Sequence, residues 1–314
     1  MPGTPSVRED VRAQVAALRA GRGVADLGGW RKVEVSGSDA AQWLNDLLTT
    51  DLSGLRPGET RRSLLLSPTG RIRADLTVVR WDHGFLLIQH PGQPIAADAL
   101  LMPYVLSSDV RLVDRSAELG LLALPSRELH AGDAGDLPLP GDREVPDGWR
   151  RVAPSALGPG TDLVGPAVTS PQALEVALRG PRVLVGDATI ESWRVIRGDP
   201  RFPVDLTPES LPHETDLGAA IAFDKGCYLG QEAVARVRNL GHPPFVVLAV
   251  RATAPVAPGD QVLAEGEEAG TVTSATELAD AGTAAIVRVR WGARKRVLRT
   301  APGAELVPFD GSDP

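Results

Sequence analysis

Asp224-Lys225-Gly226-Cys227-Tyr228-Leu229-Gly230-Gln231-Glu232-Ala233-Val234-Ala235-Arg236 holds the only cysteine of the chain, set between two glycines. Gly226 and Gly230 permit backbone geometry that side chains resist, and Gln231 opens a run that reads as the start of a helix. The spacing predicts the Cys227 thiol beside a helix N-terminus and next to Lys225, and both neighbours favour thiolate over thiol. A small buried hydrophobe, the commonest state of a lone cysteine, fits the same spacing. One cysteine makes neither an intramolecular disulfide nor a zinc site built on several thiolates.

Working outward, the N-terminal part mixes helices and strands. Ser6 and Glu9 have capping-box spacing, and Val7, Val11, Val15 and Leu18 recur at helical intervals until Gly21 and Gly23. Lys32 to Ser36 reads as a strand, and Ala40, Trp43, Leu44, Leu47 and Leu48 form the apolar stripe of a second helix. Arg61 to Leu66 and Arg71 to Arg80 read as two strands joined through Ser67-Pro68-Thr69-Gly70, with Ile72, Ala74, Leu76 and Val78 on one buried face. Phe85 to Ile88 should pair beside them. A helix over Ala96 to Val105 and strands near Val110 to Val113 and Leu121 to Leu124 continue an α+β pattern.

Between Ala131 and Pro171 the density of Gly, Pro and Asp predicts long loops with short strands. Helices are expected at Gln172 to Arg179 and Thr189 to Arg197. Beyond Gly241-His242-Pro243-Pro244 the character changes. Short β-rich runs at Phe245 to Val250, Gln261 to Ala264, Gly270 to Val272 and Ala285 to Trp291, parted by Gly and Pro turns, predict a small terminal barrel.

The chain has 314 residues, 43% of them apolar, which suits two or three packed units. Forty acidic against 33 basic residues give a net charge of -7, which opposes general binding to a phosphate backbone, so no stable nucleic-acid binding is expected. No apolar run is long enough to span a membrane, and Met1 to Arg22 lacks the order of a signal peptide. A cytoplasmic protein is expected. With five His and one Cys spread along the chain, no metal-ligand cluster stands out. His213 and His242 flank Cys227 at a distance that permits a Cys-His pair but matches no hydrolase signature.

Lys225-Gly226-Cys227-Tyr228-x-Gly230-Gln231-Glu232 resembles, at every fixed position, the signature of the YgfZ-type folate-binding proteins, relatives of the glycine-cleavage aminomethyltransferase. Val33 to Ala40, Leu47 to Leu55, Ser67 to Leu76, Tyr104 to Val110 and Ile196 to Pro203 also resemble landmarks of that family, while the region near Ala131 to Ser170 aligns with nothing. The resemblance implies an α+β fold: a folate-binding body of two subdomains around a central opening over residues 1–240, and a C-terminal β-barrel over 241–314. It implies tetrahydrofolate as ligand, with Trp30 and Trp193 in contact with it; stacking on a flat pterin adds about 0.5–1.5 kcal/mol beyond buried area. Trp193 stands at helical spacing from Ile190 and Arg197, which suits core packing as well. Asp199, where the family's Arg-x-Glu-Ala-Gly segment has its longer carboxylate, is assigned to the pterin, and Arg236 or Arg238 to the anionic glutamate tail.

In aminomethyltransferases the hairpin reads Gly-Gly-x-x-Asp-Asp, its first Asp being the catalytic carboxylate. Aligned on Gly70 and Leu76, that position is Ala74, and Asp75 matches the second Asp. The proton-handling group of transfer chemistry is missing. The resemblance therefore implies a tetrahydrofolate-binding accessory protein whose partners are iron-sulfur client enzymes, among them radical enzymes that thiolate tRNA, with Cys227 as the functional thiol. A folate-dependent one-carbon transferase and a non-catalytic interaction module with a vestigial folate pocket are the alternatives.

Overall fold

The computed structural model describes residues 7–81, 83–125, 145, 147–167, 182–215, 217, 220–278, 280 and 282–309. The chain divides into two compact units: the first takes in the described residues of Met1–Leu65, Ala74–Ile190 and Ala219–Gly226, the second those of Leu66–Arg73, Glu191–Gly218 and Cys227–Pro314. Together they make a mixed α+β protein with a closed C-terminal barrel, as expected.

Two five-stranded sheets make up most of the first unit, with only Leu66, Ile72 and Arg73 of their strands assigned to the second. Strands β2 (Arg31–Ser36), β3 (Thr60–Leu66), β4 (Ile72–Trp81), β5 (Gly84–Gln89) and β6 (Arg111–Asp114) join in the order β3-β4-β5-β2-β6. The alternation seen in β4 is real: Ile72, Ala74, Leu76 and Val78 are buried, whereas Arg73 is exposed and Asp75 half-buried. Strand β5 is buried on both faces, which its unbroken Phe-Leu-Leu-Ile run allows. Each such side chain contributes about 1.5–3 kcal/mol relative to exposure. The helix Ala40–Leu47 buries Ala40, Trp43, Leu44 and Leu47, the stripe expected of it.

The other sheet runs β10-β1-β7-β9-β8, with β1 (Gly23–Asp26), β7 (Leu119–Pro125), β8 (Arg150–Val152), β9 (Gly160–Pro166) and β10 (Val183–Val185). Strand β1 pairs in parallel with β10 and antiparallel with β7. Val24, Leu122, Leu124 and Leu163 form its core. Two strands in this sheet were not expected, because β1 and β10 are only four and three residues long. Of the loop-rich middle stretch, β8 and β9 are described; the expected helix Gln172 to Arg179 lies outside the described residues.

One expected helix is shorter. Over Ala96 to Val105 the α-helix covers only Ala97–Leu101 and tightens into a 3-10 turn at Met102–Tyr104. Pro103 has no N–H to continue the α-helical ladder.

In the second unit β11 (Phe245–Ala252), β12 (Gln261–Ala264), β13 (Glu267–Glu277), β14 (Thr283–Arg290), β15 (Leu298–Thr300) and β16 (Glu305–Pro308) close in the order β11-β14-β13-β12-β15-β16. Val246, Val250, Val262, Val272, Val287 and Val289 fill the interior. Between Val272 and Ser274 the register of β13 against β14 shifts, so Thr273 is an extra residue in the strand. The helices Asp187–Ile196 and Gln231–Leu240 precede the barrel in the chain. No helix among the described residues is long and apolar enough to cross a membrane.

Candidate functional site

Cys227 is exposed. The buried-hydrophobe reading of the lone cysteine does not hold, and the neighbours of Cys227 explain its exposure. Lys225 is half-buried, and its Nζ donates to the carbonyl oxygens of Asn45 at 2.6 Å, Leu48 at 2.6 Å and Thr50 at 2.7 Å. An ammonium has three N–H donors, and all three are used on carbonyls at and just past the C-terminus of Ala40–Leu47, the negative end of that helix. Burial lowers the Lys225 pKa to about 8, against the opposing pull of Asp51 and Asp46. Tyr228 is buried, and its carbonyl oxygen accepts from Gln231 N–H at 3.1 Å where the helix Gln231–Leu240 begins. With Lys225 and Tyr228 both turned inward, the intervening Cys227 is left facing water.

The two glycines differ. Gly230 caps the helix with φ 82, in the left-handed region, and a Cβ there would stand 2.5 Å from the Ser67 carbonyl oxygen. Gly226 has no positive φ, and a Cβ there would meet nothing within 4 Å. The expectation that both positions need glycine is thus corrected: only Gly230 does, because only it lies against another backbone. Arg236 is exposed on the helix that Gly230 starts, while Val234 is buried on its inner face.

Trp193 is 1% exposed, on the helix Asp187–Ile196, with the Arg197 guanidinium 5.5 Å above its ring. Its indole Nε1 is buried and donates to no acceptor among the described residues. The adjoining Arg194, also buried, organises the segment that carries Asp199. Its guanidinium donates to Glu191 Oε2 at 2.8 Å, to Asp205 Oδ2 at 2.7 Å and to Ser274 Oγ at 2.7 Å. Asp205, wholly buried, also accepts from Arg201 N–H at 2.9 Å, Ser274 Oγ–H at 2.7 Å and Thr273 Oγ1–H at 2.5 Å. The irregular register of β13 places two consecutive hydroxyls on one carboxylate oxygen. Asp199 N–H donates to the Arg194 carbonyl oxygen at 2.9 Å, and Arg194 Nη1 donates back to the Asp199 carbonyl oxygen at 3.2 Å. The half-buried Asp199 is therefore held at its backbone.

Trp30 belongs to the first unit, in the turn before β2, and is half-buried with its ring edge-on to His90 at 5.1 Å. Next to it, Arg31 Nη1 donates to the Gln93 carbonyl oxygen at 2.9 Å. Gln93 is buried; its side chain accepts from Asp75 N–H at 3.0 Å and donates to the Asp75 carbonyl oxygen at 2.6 Å. The Asp75 carboxylate takes a two-pronged contact from Arg62, Nε to Oδ1 at 3.0 Å and Nη2 to Oδ2 at 2.6 Å. Ala74, at the position of the transferase carboxylate, is fully buried on the opposite face of β4.

Sequence reasoning missed Arg194, Asp205, Ser274, Gln93 and Arg62. Glu191 and Arg194 carry an i,i+3 signal, but nothing local links either to Asp205 or Ser274. Half-buried His213 has its pKa lowered by burial and then by Arg238. Among the described residues no group of three or more His, Cys, Asp or Glu is placed to hold a metal ion.

Comparison with known proteins agrees with this architecture. Residues 3–125 match the GCVT N-terminal domain. The tRNA-modifying protein YgfZ of Enterobacter sp. (strain 638) is 26% identical over 281 residues, 86% of each chain. That of Escherichia coli O157:H7 is 26% identical over 282 residues, again 86% of each. The chloroplastic Arabidopsis thaliana protein At1g60990, named as a transferase, is 25% identical over 269 residues, 81% of this chain but 61% of its own length. The fold is that of the glycine cleavage system aminomethyltransferase T from Bartonella henselae, with a TM-score of 0.79, 22% identity, and coverage of 96% of this chain and 89% of that one.

Proposed function

We propose that this chain, which carries a GCVT N-terminal domain and is similar to the YgfZ proteins over most of its length, binds tetrahydrofolate and serves tRNA-modifying iron-sulfur enzymes through Cys227. The observation that carries the reading is the outward thiol of Cys227, flanked in the chain by an anchored Lys225 and a buried Tyr228. A cysteine used only for packing has no need of this presentation. An exposed thiol is open to a client protein or to a soft metal in transit.

Taken one by one, the residues that the resemblance assigns to folate have chemistry that suits it. Tetrahydrofolate, when bound, supplies a flat pterin with hydrogen-bonding edges and an anionic glutamate tail. Half-buried Trp30 can offer an indole face to such a ring. Trp193 brings its buried Nε1–H, a donor that costs stability until an acceptor meets it. Asp199 supplies a carboxylate acceptor on a fixed backbone, and Arg236 an exposed guanidinium for carboxylates of the tail. The domains of this reading are a folate-binding body over residues 1–240 and the barrel over 241–314, in a cytoplasmic protein.

Aminomethyl transfer is the weaker reading, because Ala74 has no proton to handle and the Asp75 carboxylate is engaged by Arg62. Calorimetric titration with tetrahydrofolate should show binding that weakens in Trp30→Ala and Trp193→Ala; unchanged affinity in both would remove the tryptophans from the site. In a strain lacking the protein, Cys227→Ser should bind folate yet fail to restore iron-sulfur enzyme activity. Full restoration by the serine variant would overturn the role of the thiol. Production of methylenetetrahydrofolate from a methylamine donor at enzymatic rates would establish the transferase instead.

A further inference from the structure

We infer that the barrel unit carries a second binding surface, for single-stranded nucleic acid, centred on Trp291 and His242. The inference goes beyond the folate reading and stands on different residues. His242 stacks parallel to Trp291, ring centroids 5.2 Å apart and planes 4° from one another, and the Arg294 guanidinium lies 3.5 Å from the centroid of the same indole. Both partners are fixed. His242 Nδ1 donates to the Pro243 carbonyl oxygen at 3.0 Å, and Arg294 Nη1 donates to the Trp291 carbonyl oxygen at 2.8 Å. Trp291 N–H donates to the Pro244 carbonyl oxygen at 3.0 Å, tying the indole to the segment that carries His242. His242 is exposed, so the stack ends on an imidazole that meets solvent.

The two segments that carry the stack bear charge of one sign only. From Ala233 to Gly259, and again from Thr283 to Ala304, the sequence contains no acidic residue, although the whole chain carries -7. Some nearby cations are paired: Arg288 with Glu214 at 2.9 Å, Arg296 with Glu265 at 3.2 Å, Arg299 with Glu305 at 3.5 Å. Arg290, Arg294 and Lys295 have no carboxylate partner among the described residues, and Arg290 and Lys295 are exposed. Unpaired cations beside a preset aromatic stack are what a flexible strand requires: phosphates meet the cations, and a splayed base extends the stack. An acidic peptide would use the cations but leave the His242 face idle. The net charge argues against nucleic-acid binding by the chain as a whole, not by a surface where Arg290, Arg294 and Lys295 stay unpaired among the described residues.

The test is fluorescence anisotropy with the full chain and a fluorescein-labelled single-stranded RNA of about 20 nucleotides, with salt varied from about 50 to 200 mM. Binding should weaken steeply with salt. His242→Ala should lose about fivefold or more in affinity with an unchanged salt slope, since it removes a stacking face. Lys295→Ala should lower the slope by about 0.7, the signature of one phosphate contact. Both residues are exposed, so both variants should keep the wild-type melting temperature, and the tetrahydrofolate titration should be unaffected. The same strand annealed into a duplex should bind more weakly, its bases being unavailable. Absence of binding at the lowest salt would overturn the inference. So would equal affinity for the duplex, or for polyglutamate, with no response to His242→Ala.

Discussion

Gly70 and Gly230 meet backbone to backbone: a Cβ built on Gly230 would stand 3.2 Å from the Gly70 Cα, and one built on Gly70 would stand 2.7 Å from the Ala233 Cβ. Both residues have φ near +80°, 77° at Gly70 and 82° at Gly230. The turn between β3 and β4 and the start of the helix Gln231–Leu240 are thereby in direct contact, which fixes where the helix after Cys227 begins.

Gly230→Ala should lose about 1–3 kcal/mol from the left-handed backbone alone, with the overlap on Ser67 adding to it. Gly226→Ala, in open space, should stay within about 0.5 kcal/mol of wild type. Urea unfolding of the two variants side by side checks the contrast; equal stabilities would mean that the turn moves aside at no cost.

Lys225→Met should cost about 1–3 kcal/mol, because three carbonyls lose their donor together. Lys225→Arg should recover little of it, since a planar fork cannot point at three converging oxygens as a compact ammonium does. Hydrogen exchange over Gly226 to Leu229 should quicken in both. Protection at wild-type level would show that the loop is held by something else.

Asp162 is wholly buried, and burial raises its pKa to about 7, despite hydrogen bonds from Ser155 Oγ at 2.5 Å and Ala156 N–H at 2.8 Å. The folded pKa lies above the unfolded one, so between about pH 4 and pH 7 the unfolded chain has released a proton that the native protein retains. Stability should fall as pH rises through that window, by at most roughly 4 kcal/mol from this group. Asp162→Asn should flatten the profile. A wild-type melting temperature that rises from pH 5 to pH 7 relative to the variant would refute the sign.

Arg194→Met should cost about 3–5 kcal/mol by leaving the wholly buried Asp205 without its cation. Adding Asp205→Asn should restore part of the loss, since the stranded charge is then gone. A double variant as destabilised as the sum of the two single changes would show that the pair is not coupled.

Strands β4 and β5 and the helix Ala40–Leu47 were legible in the sequence because each repeats its own period over enough residues to be seen. Strands β1 and β10 were not, since four and three residues hold too little pattern and each depends on a partner far away in the chain. The cysteine motif stood out through its spacing, but spacing could not tell an exposed thiol from a packed one. That difference was decided by the directions of Lys225 and Tyr228, which depend on carbonyls near residue 48 and on the helix after residue 230. The Arg194–Asp205–Ser274 cluster had no local signal at all: its members lie 11 and 80 residues apart and are joined only when β13 slips its register.

Barrel closure sets an order on biosynthesis. Strand β11 pairs with β14 along its whole length and with β16 through Val250, Arg251 and Ala252, opposite Pro308, Val307 and Leu306. The strand that shuts the ring against the first is thus the last of the six to leave the ribosome. Until translation has passed Pro308, the nascent barrel is an open sheet with two unpaired edges and an uncovered valine interior, a form that invites pairing with other chains. A stall or a premature stop within β16 would therefore release a sticky intermediate. Chaperone demand should peak while β16 is still being made.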